Sequence, residues 1–236
     1  MNDTSPTAFG SLINIFLEPG KTFEDVRQHT SWLWYPLIIG IGSALLIFAW
    51  YYGTADWGVI QQQTMDYIAG RNYTPDQLEQ IRNGLTRKGI LMQTCIFLTI
   101  FVVLIYLIQA LYFFLAAKIG GYQVQGYGNW FNFTCWAYLP SVLGNLAFAV
   151  MYLINGKQSP IASLDVTSLN TLIFKLTPQD SWFGLVNSLH LTTFWTFALL
   201  IIGFSRWTKQ SMGKSAAIAL APHALIYGIW VLVKVI

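Results

Sequence analysis

Long apolar stretches without Asp, Glu, Lys or Arg alternate with polar segments along this chain. Each stretch is about as long as the ~20 residues that a helix needs to cross the hydrocarbon of a bilayer. Backbone groups in lipid must pair internally, and these stretches lack the period-two alternation of barrel strands, so the pattern predicts transmembrane helices. We therefore expect an all-α bundle of five spans, at about 32–52, 90–117, 130–153, 182–204 and 215–233.

The composition of the chain supports a polytopic integral membrane protein. Hydrophobic residues make up 55% of the 236 residues and charged residues 10%, against about 25% charged residues in an ordinary soluble domain. The formal net charge is +3, and lysine and arginine are scattered through the polar segments. Because there is no basic stripe of the kind that follows phosphates, binding to nucleic acid is not expected.

Two short helices are predicted before the first span, within residues 1–31. The first has an apolar row at helical spacing, made of Phe9, Leu12, Ile13 and Phe16. Ser11 and Asn14 are placed on its other side, so the pattern is typical of an amphipathic helix that lies in the membrane interface. Thr22 is predicted to cap the free N–H groups of the second helix.

The polar segment between the first two spans predicts a helical insert of two short helices. Thr74-Pro75 followed by Gln77 is a start signal for the second of them. Gly70 and Asn72 are expected to turn the chain between the two. The charges of the insert are interpreted as a solvated helix face, and the insert could also cap the bundle, shape a vestibule or present a surface to a partner.

Polar residues within the predicted spans are the candidates for chemistry, because an ionisable residue in a span usually marks a transport route. They form a candidate polar cleft: Gln93, Gln109, Ser141, Asn145, His190 and His223. Two interpretations are open for them. Such side chains often hold helices together by hydrogen bonds, whereas Pro222 beside His223 frees a backbone carbonyl, as in the broken helices of transporters.

Catalytic and metal-binding motifs are absent from the sequence. There is no serine–histidine–acid set, no zinc motif and no carboxylate pair in or near a predicted span, so neither an enzyme nor a cofactor or metal site is expected. Cys95 and Cys135 both fall inside predicted spans. We interpret them as apolar packing residues and not as a disulfide.

Small residues recur every fourth position at the start of the last predicted span, at Gly213, Ala217 and Ala221. Such a smooth face allows two membrane helices to approach closely. The partner is either another helix of the same bundle or a second copy of the chain, so a homo-oligomer is one of the two expectations.

Two motifs around the predicted third span carry a family resemblance. The run Gly126-Tyr127-Gly128-Asn129-Trp130, followed by Ala137-Tyr138-Leu139-Pro140, resembles the Yip domain family of five-pass membrane proteins. Pro19 with Thr22-Phe23, and Leu200–Ser205 with Lys214-Ser215-Ala216, are also similar to bacterial members. The resemblance covers nearly the whole chain and implies a five-span Yip-like domain over residues 32–236.

The resemblance also implies a class of function. Eukaryotic members carry a long cytosolic N-terminal region, bind Rab-type GTPases and act in vesicle traffic. This sequence has no Asp-Leu-Tyr-Gly-Pro motif before the first span and resembles the short bacterial branch. We expect a non-catalytic scaffold or adaptor that binds membrane lipids or other membrane proteins. The alternative is a small transporter or channel with a polar cleft near Pro140, Asn145 and His223.

Charge alone does not determine the orientation, because lysine and arginine are divided almost equally between the two sides of the five spans. The link around Arg206, Lys209 and Lys214 is basic and contains no acid. Together with the resemblance, it places the protein in a bacterial cytoplasmic membrane with the N-terminus inside and the C-terminus outside.

Overall fold

The computed structural model describes residues 6–68, 73–122 and 126–235 of the chain. The described residues form twelve α-helices: α1 (Ala8–Leu17), α2 (Pro19–Gln28), α3 (Trp34–Thr54), α4 (Trp57–Ile68), α5 (Pro75–Gly84), α6 (Arg87–Ile119), α7 (Tyr127–Ala137), α8 (Ser141–Asn155), α9 (Ile161–Leu164), α10 (Phe183–Ser188), α11 (Leu191–Thr208) and α12 (Met212–Val235). A 3-10 turn at Thr30–Leu33 precedes α3, and a π-helical turn lies at Asn170–Phe174. The all-α prediction is therefore confirmed.

Four helical segments in the described part of the chain are long and apolar enough to cross a membrane. They are Thr30–Thr54, Arg87–Ile119, Tyr127–Asn155 and Met212–Val235. These segments overlap the first, second, third and fifth predicted spans, and they agree with a polytopic integral membrane protein. The count of five spans stays a prediction.

The predicted span at 182–204 is not one continuous helix. The chain forms α10, leaves the helix at Leu189 and His190, and resumes as α11. At the break the Leu169 N–H donates to the Leu189 carbonyl oxygen at 2.7 Å, and the Leu191 N–H donates to the Thr167 carbonyl oxygen at 2.9 Å. Backbone groups that would continue the helix therefore pair with the preceding loop instead.

The third predicted span is also interrupted, because α7 ends at Ala137 and α8 begins at Ser141. Pro140 lies between them and cannot donate a helical hydrogen bond. The Tyr138-Leu139-Pro140 part of the second family motif is thus the break itself.

Contacts within the chain divide it into two compact units. Unit 1 contains the described residues of Met1–Gly42, Phe101–Ser141 and Thr193–Ile226. Unit 2 contains the described residues of Ser43–Ile100, Val142–Thr192 and Tyr227–Ile236.

Unit 1 is built around six fully buried aromatic rings, here called the aromatic cluster: Phe23, Phe113, Trp130, Phe133, Phe204 and Trp207. The ring centroids of Trp130 and Trp207 lie 5.0 Å apart, and Phe133 lies 5.1 Å from Trp207. Tilted and edge-on pairs at such distances are favourable beyond the apolar area that they bury. The cluster joins α2, α6, α7 and α11.

Unit 2 has a separate core, made of Tyr51, Tyr52, Ala55, Ile60, Phe148, Tyr152 and Leu164. The Tyr51 hydroxyl donates to the Ser159 carbonyl oxygen at 3.0 Å, so a buried polar group is satisfied inside this core. Ile60 belongs to α4, which means that the first helix of the insert packs as part of unit 2.

Helix starts in the polar segments test the predicted caps. The capping box of Thr74 and Gln77 at the start of α5 is confirmed. The prediction that Thr22 caps the second helix is wrong: α2 begins at Pro19, whose missing N–H costs nothing at a first helical position. The Thr22 hydroxyl instead donates to the Glu18 carbonyl oxygen at 3.1 Å. The predicted turn at Gly70 and Asn72 lies outside the described residues.

Candidate functional site

Two asparagines at the start of α7, Asn129 in the first family motif and Asn132 just after it, hold the end of the N-terminal hairpin, which consists of α1 and α2. Asn129 accepts a hydrogen bond from the Thr30 hydroxyl. One turn later the buried Asn132 amide donates to the carbonyl oxygens of Val26 and His29, at 3.1 and 3.2 Å. Each carbonyl oxygen also accepts a backbone N–H, from His29 to Val26 at 3.2 Å and from Trp32 to His29 at 3.0 Å, so Asn132 adds a second donor at the end of α2. The asparagines of α7 therefore fix the end of α2 on unit 1.

Phe23 anchors α2 in the aromatic cluster. Its ring lies 5.0 Å from that of Phe133, and the Trp207 indole N–H donates to its carbonyl oxygen at 2.7 Å. At the exposed edge Arg206 Nη1 lies 3.4 Å from Glu24 Oε1, an ion pair that contributes little in solvent. Partial burial raises the pKa of the neighbouring Asp25 carboxyl. The hairpin is thus held mainly by apolar burial and hydrogen bonds.

The amphipathic helix α1 has an inner and an outer side. Ser11 and Ile15 are buried, and the ring of Phe16 lies 6.1 Å from that of Trp195 on α11. The outer side carries an exposed apolar row, here called the outer row: Phe9 (72% exposed), Ile13 (59%) and Leu17 (73%). Ser11 lies on the side opposite Phe9 and Ile13, as the spacing predicts, but it is buried within unit 1, whereas Asn14 is exposed.

The break between α7 and α8 brings Tyr138 and Ser141 together with His223. The Tyr138 hydroxyl lies 3.2 Å from His223 Nε2, and the Ser141 hydroxyl donates to the Tyr138 carbonyl oxygen at 2.9 Å. The His223 ring lies edge-on to Phe197, with centroids 4.8 Å apart. A broken α7–α8 junction is thus joined to α12 by one hydroxyl–imidazole pair.

The carbonyl that Pro222 frees does have a partner. Residue 222 has no N–H for the Ile218 carbonyl oxygen one turn earlier, and the Tyr112 hydroxyl donates to that oxygen at 2.7 Å. Gln109, one turn before Tyr112 on α6, is buried, and its Nε2 has no hydrogen-bond partner among the described residues. The proline site therefore acts as a contact between α6 and α12.

A family model described as the Yip1 domain matches residues 13–233, nearly the whole chain. The chain belongs to the Yip1 domain family. No curated protein and no solved structure matches it. The resemblance drawn from Gly126, Tyr127, Tyr138 and Pro140 is confirmed at the level of the family.

The other predicted cleft residues of this Yip1 domain lie in unit 2. The Asn145 amide donates to the Ser43 hydroxyl at 2.9 Å, which links α8 to α3. Gln93 lies on an exposed part of α6. His190 lies at the break before α11, where its Nδ1 is 3.4 Å from Asp165 Oδ1 and 3.4 Å from the Thr167 hydroxyl. The six residues thus divide equally between the two units.

The partners of these polar residues are not predicted from the sequence. Tyr138 could have been inferred as such a partner. Pro140 predicts a break in the helix, and side chains just before a break need not follow the helical spacing. Asp165 and Tyr112 carry no local signal, because each meets its partner only through tertiary packing. In the described part of the Yip1 domain both Cys95 and Cys135 are free, and no group of three His, Cys, Asp or Glu residues could hold a metal ion.

Proposed function

We propose that this Yip1 domain is a non-catalytic membrane scaffold or adaptor that binds membrane lipids or other membrane proteins. The outer row of α1 carries the proposal. Its helix is fixed to unit 1 on the inner side, yet three large apolar side chains on the outer side remain uncovered. An apolar face that is held in place and left open is suited to binding another apolar surface.

The hydrogen bonds of the predicted cleft support a scaffold more than a transporter. Ser141 and His223 bind Tyr138, Asn145 binds Ser43, and the carbonyl freed by Pro222 binds Tyr112. Apart from the local bond of Ser141 to Tyr138, each of these contacts joins two distant parts of the chain. Such bonds are worth about 0.6 to 2 kcal/mol between membrane helices. In this proposal the polar groups stabilise the bundle while its outer surfaces bind partners.

We further propose the location and orientation of the scaffold. The membrane is the bacterial cytoplasmic membrane, with the N-terminal hairpin inside and, across five spans, the C-terminus outside. The basic link between α11 and α12, with Arg206, Lys209 and Lys214, supports this orientation.

Serine at all three positions of the outer row is expected to remove bound partners and leave the fold intact. Phe9→Ser, Ile13→Ser and Leu17→Ser delete exposed apolar area, so the lipid or protein retained in native nanodiscs should fall several-fold in native mass spectra. The matched control is serine at Leu107, Leu111 and Leu115, which have the same spacing on an exposed side of α6; it should retain the partners.

Unchanged retention in the outer-row variant would contradict the scaffold. A proton flux into proteoliposomes that wild type supports and His223→Ala abolishes would favour the transporter instead.

The small residues of α12 lead to a second prediction, on self-association. Gly213, Ala217 and Ala221 are exposed, and no heavy atom of another segment lies within 4 Å of a Cβ built on Gly213. We propose a second copy as the partner of this face. Ala217→Leu with Ala221→Leu should shift the protein from dimer to monomer by size-exclusion chromatography with light scattering. Ala198→Leu, at an exposed position of α11, should not.

If the wild-type protein is a monomer, or if the double leucine variant is still a dimer, the small residues of α12 do not form a dimer interface.

A further inference from the structure

The two units differ in the balance of their charges. Among the described residues, unit 1 has six lysines and arginines against three acids, whereas unit 2 has six of each. One of the three acids of unit 1, Glu24, already lies beside Arg206. Over the full sequence within the same bounds, unit 1 carries a formal charge of +2 and unit 2 a formal charge of +1, so the basic character of unit 1 lies in the local placement of its lysines.

Four exposed lysines of unit 1 lie where its helices begin and end, and we call them the basic end: Lys21, Lys118, Lys209 and Lys214. Lys118 is in the last turn of α6, Lys209 follows the end of α11, and Lys214 is in the first turn of α12. The Lys214 ammonium lies 5.2 Å from the ring centroid of Tyr122. Since α2 packs on the end of α11 through Trp207, Lys21 belongs to the same end.

Exposed apolar side chains accompany these lysines. Ile119 follows Lys118 and is 85% exposed, and Met212, two residues before Lys214, is 52% exposed. The outer row of α1 belongs to the same unit. Lysines with exposed apolar neighbours are typical of a surface in the headgroup layer, where the stems contact acyl chains and the ammonium groups contact phosphates.

We propose that unit 1 binds anionic phospholipid, with the basic end on the headgroups and the outer row in the acyl layer of the same leaflet. This rests on the scaffold function proposed above and specifies its lipid. Charge complementarity selects the lipid class: a neutral zwitterionic headgroup offers no net attraction to an excess of lysine, whereas each lysine near an anionic surface strengthens binding about fivefold.

The test compares phosphatidylglycerol with phosphatidylcholine of identical acyl chains. The full chain in detergent is titrated with an equimolar mixture of the two, and native mass spectra count the bound molecules of each. Wild type should bind phosphatidylglycerol at least about tenfold more tightly, and the preference should fall as salt rises, because exposed charges are screened.

Glutamine at all four positions of the basic end should remove the preference for phosphatidylglycerol and leave phosphatidylcholine binding unchanged. Arginine at the same four positions should retain the preference, which separates loss of charge from loss of fold. The matched control is glutamine at four exposed lysines of unit 2, Lys88, Lys157, Lys175 and Lys234. This control should bind phosphatidylglycerol as wild type does.

Equal binding of the two lipids by wild type, or an equal loss in the unit 2 control, would overturn the proposal. Displacement of phosphatidylglycerol by millimolar inorganic phosphate would also overturn it, since the site would then bind a free anion and not a lipid. If lipid preference is absent but the outer-row variant still loses its partners, the scaffold stands without this lipid. If the outer-row variant retains them while the lysine effect holds, the scaffold fails together with the placement of the outer row in the acyl layer, and only headgroup binding by the basic end stands.

Discussion

Replacing Gly203 with alanine is expected to destabilise unit 1 by about 2–3 kcal/mol, the usual cost of overpacking a filled core. A Cβ at this position would lie 2.4 Å from Phe133 Cε2 and 2.9 Å from two ring carbons of Phe23. Both rings are fully buried in the aromatic cluster. Interiors are close-packed, so neither ring can yield without displacing its neighbours. Thermal unfolding in detergent, followed by tryptophan fluorescence, measures the loss.

Gly42→Ala is the matched control, because no heavy atom of another segment lies within 4 Å of its Cβ position on α3. It should be neutral or slightly stabilising, since alanine is the better helix former. Equal stability of Gly203→Ala and wild type would mean that the Phe23 ring of α2 does not pack against Gly203 of α11.

Gly203→Ala also distinguishes two requirements of the proposed scaffold: that the hairpin is held in position, and that α1 carries an apolar face. If Phe23 is displaced, the Trp207 indole loses its acceptor on α2 as well. The outer row would keep its chemistry but lose its fixed position. A scaffold that depends on a positioned α1 should then lose partners in Gly203→Ala although Phe9, Ile13 and Leu17 are unchanged.

Hydropathy predicts most of this fold because lipid imposes one rule on every spanning segment: backbone groups must pair within the helix. Four long segments therefore appear where the apolar stretches place them. The start of α5 was equally predictable, since Thr74 and Gln77 satisfy each other locally. Features that depend on residues close in sequence are the ones that pattern analysis recovers.

The predictions that needed tertiary information were wrong or incomplete. The helix broke at His190 because the loop at Thr167 and Leu169 supplies backbone partners that no local pattern shows. The spacing put Ser11 and Asn14 together opposite the apolar row, but only tertiary packing decides that Ser11 is buried and Asn14 exposed. The candidate cleft could be assembled from polar residues at membrane depth, but their partners, such as Tyr138 for His223, depend on which helices are neighbours.

Arg87→Met is expected to destabilise unit 2 by about 2–4 kcal/mol, since each hydrogen bond from a charged group contributes about 1.5–3 kcal/mol. The Arg87 guanidinium donates to the carbonyl oxygens of Tyr52 and Ala55, at the end of α3 where the helix supplies no donor. It also lies over the Trp57 ring, 5.6 Å from the centroid. One side chain therefore joins α3, α4 and α6.

Methionine keeps the approximate length of the side chain and removes the two donors. The helical insert should therefore be the first part of unit 2 to unfold. We expect hydrogen exchange across α4 to accelerate and the unfolding temperature to fall. Arg87→Lys should be intermediate, because an ammonium retains the attraction to a helix C-terminus but not the forked geometry. The exposed neighbour Lys88 provides the control. If Lys88→Met costs as much as Arg87→Met, the effect is one of charge near the membrane, and the carbonyls of α3 do not depend on Arg87.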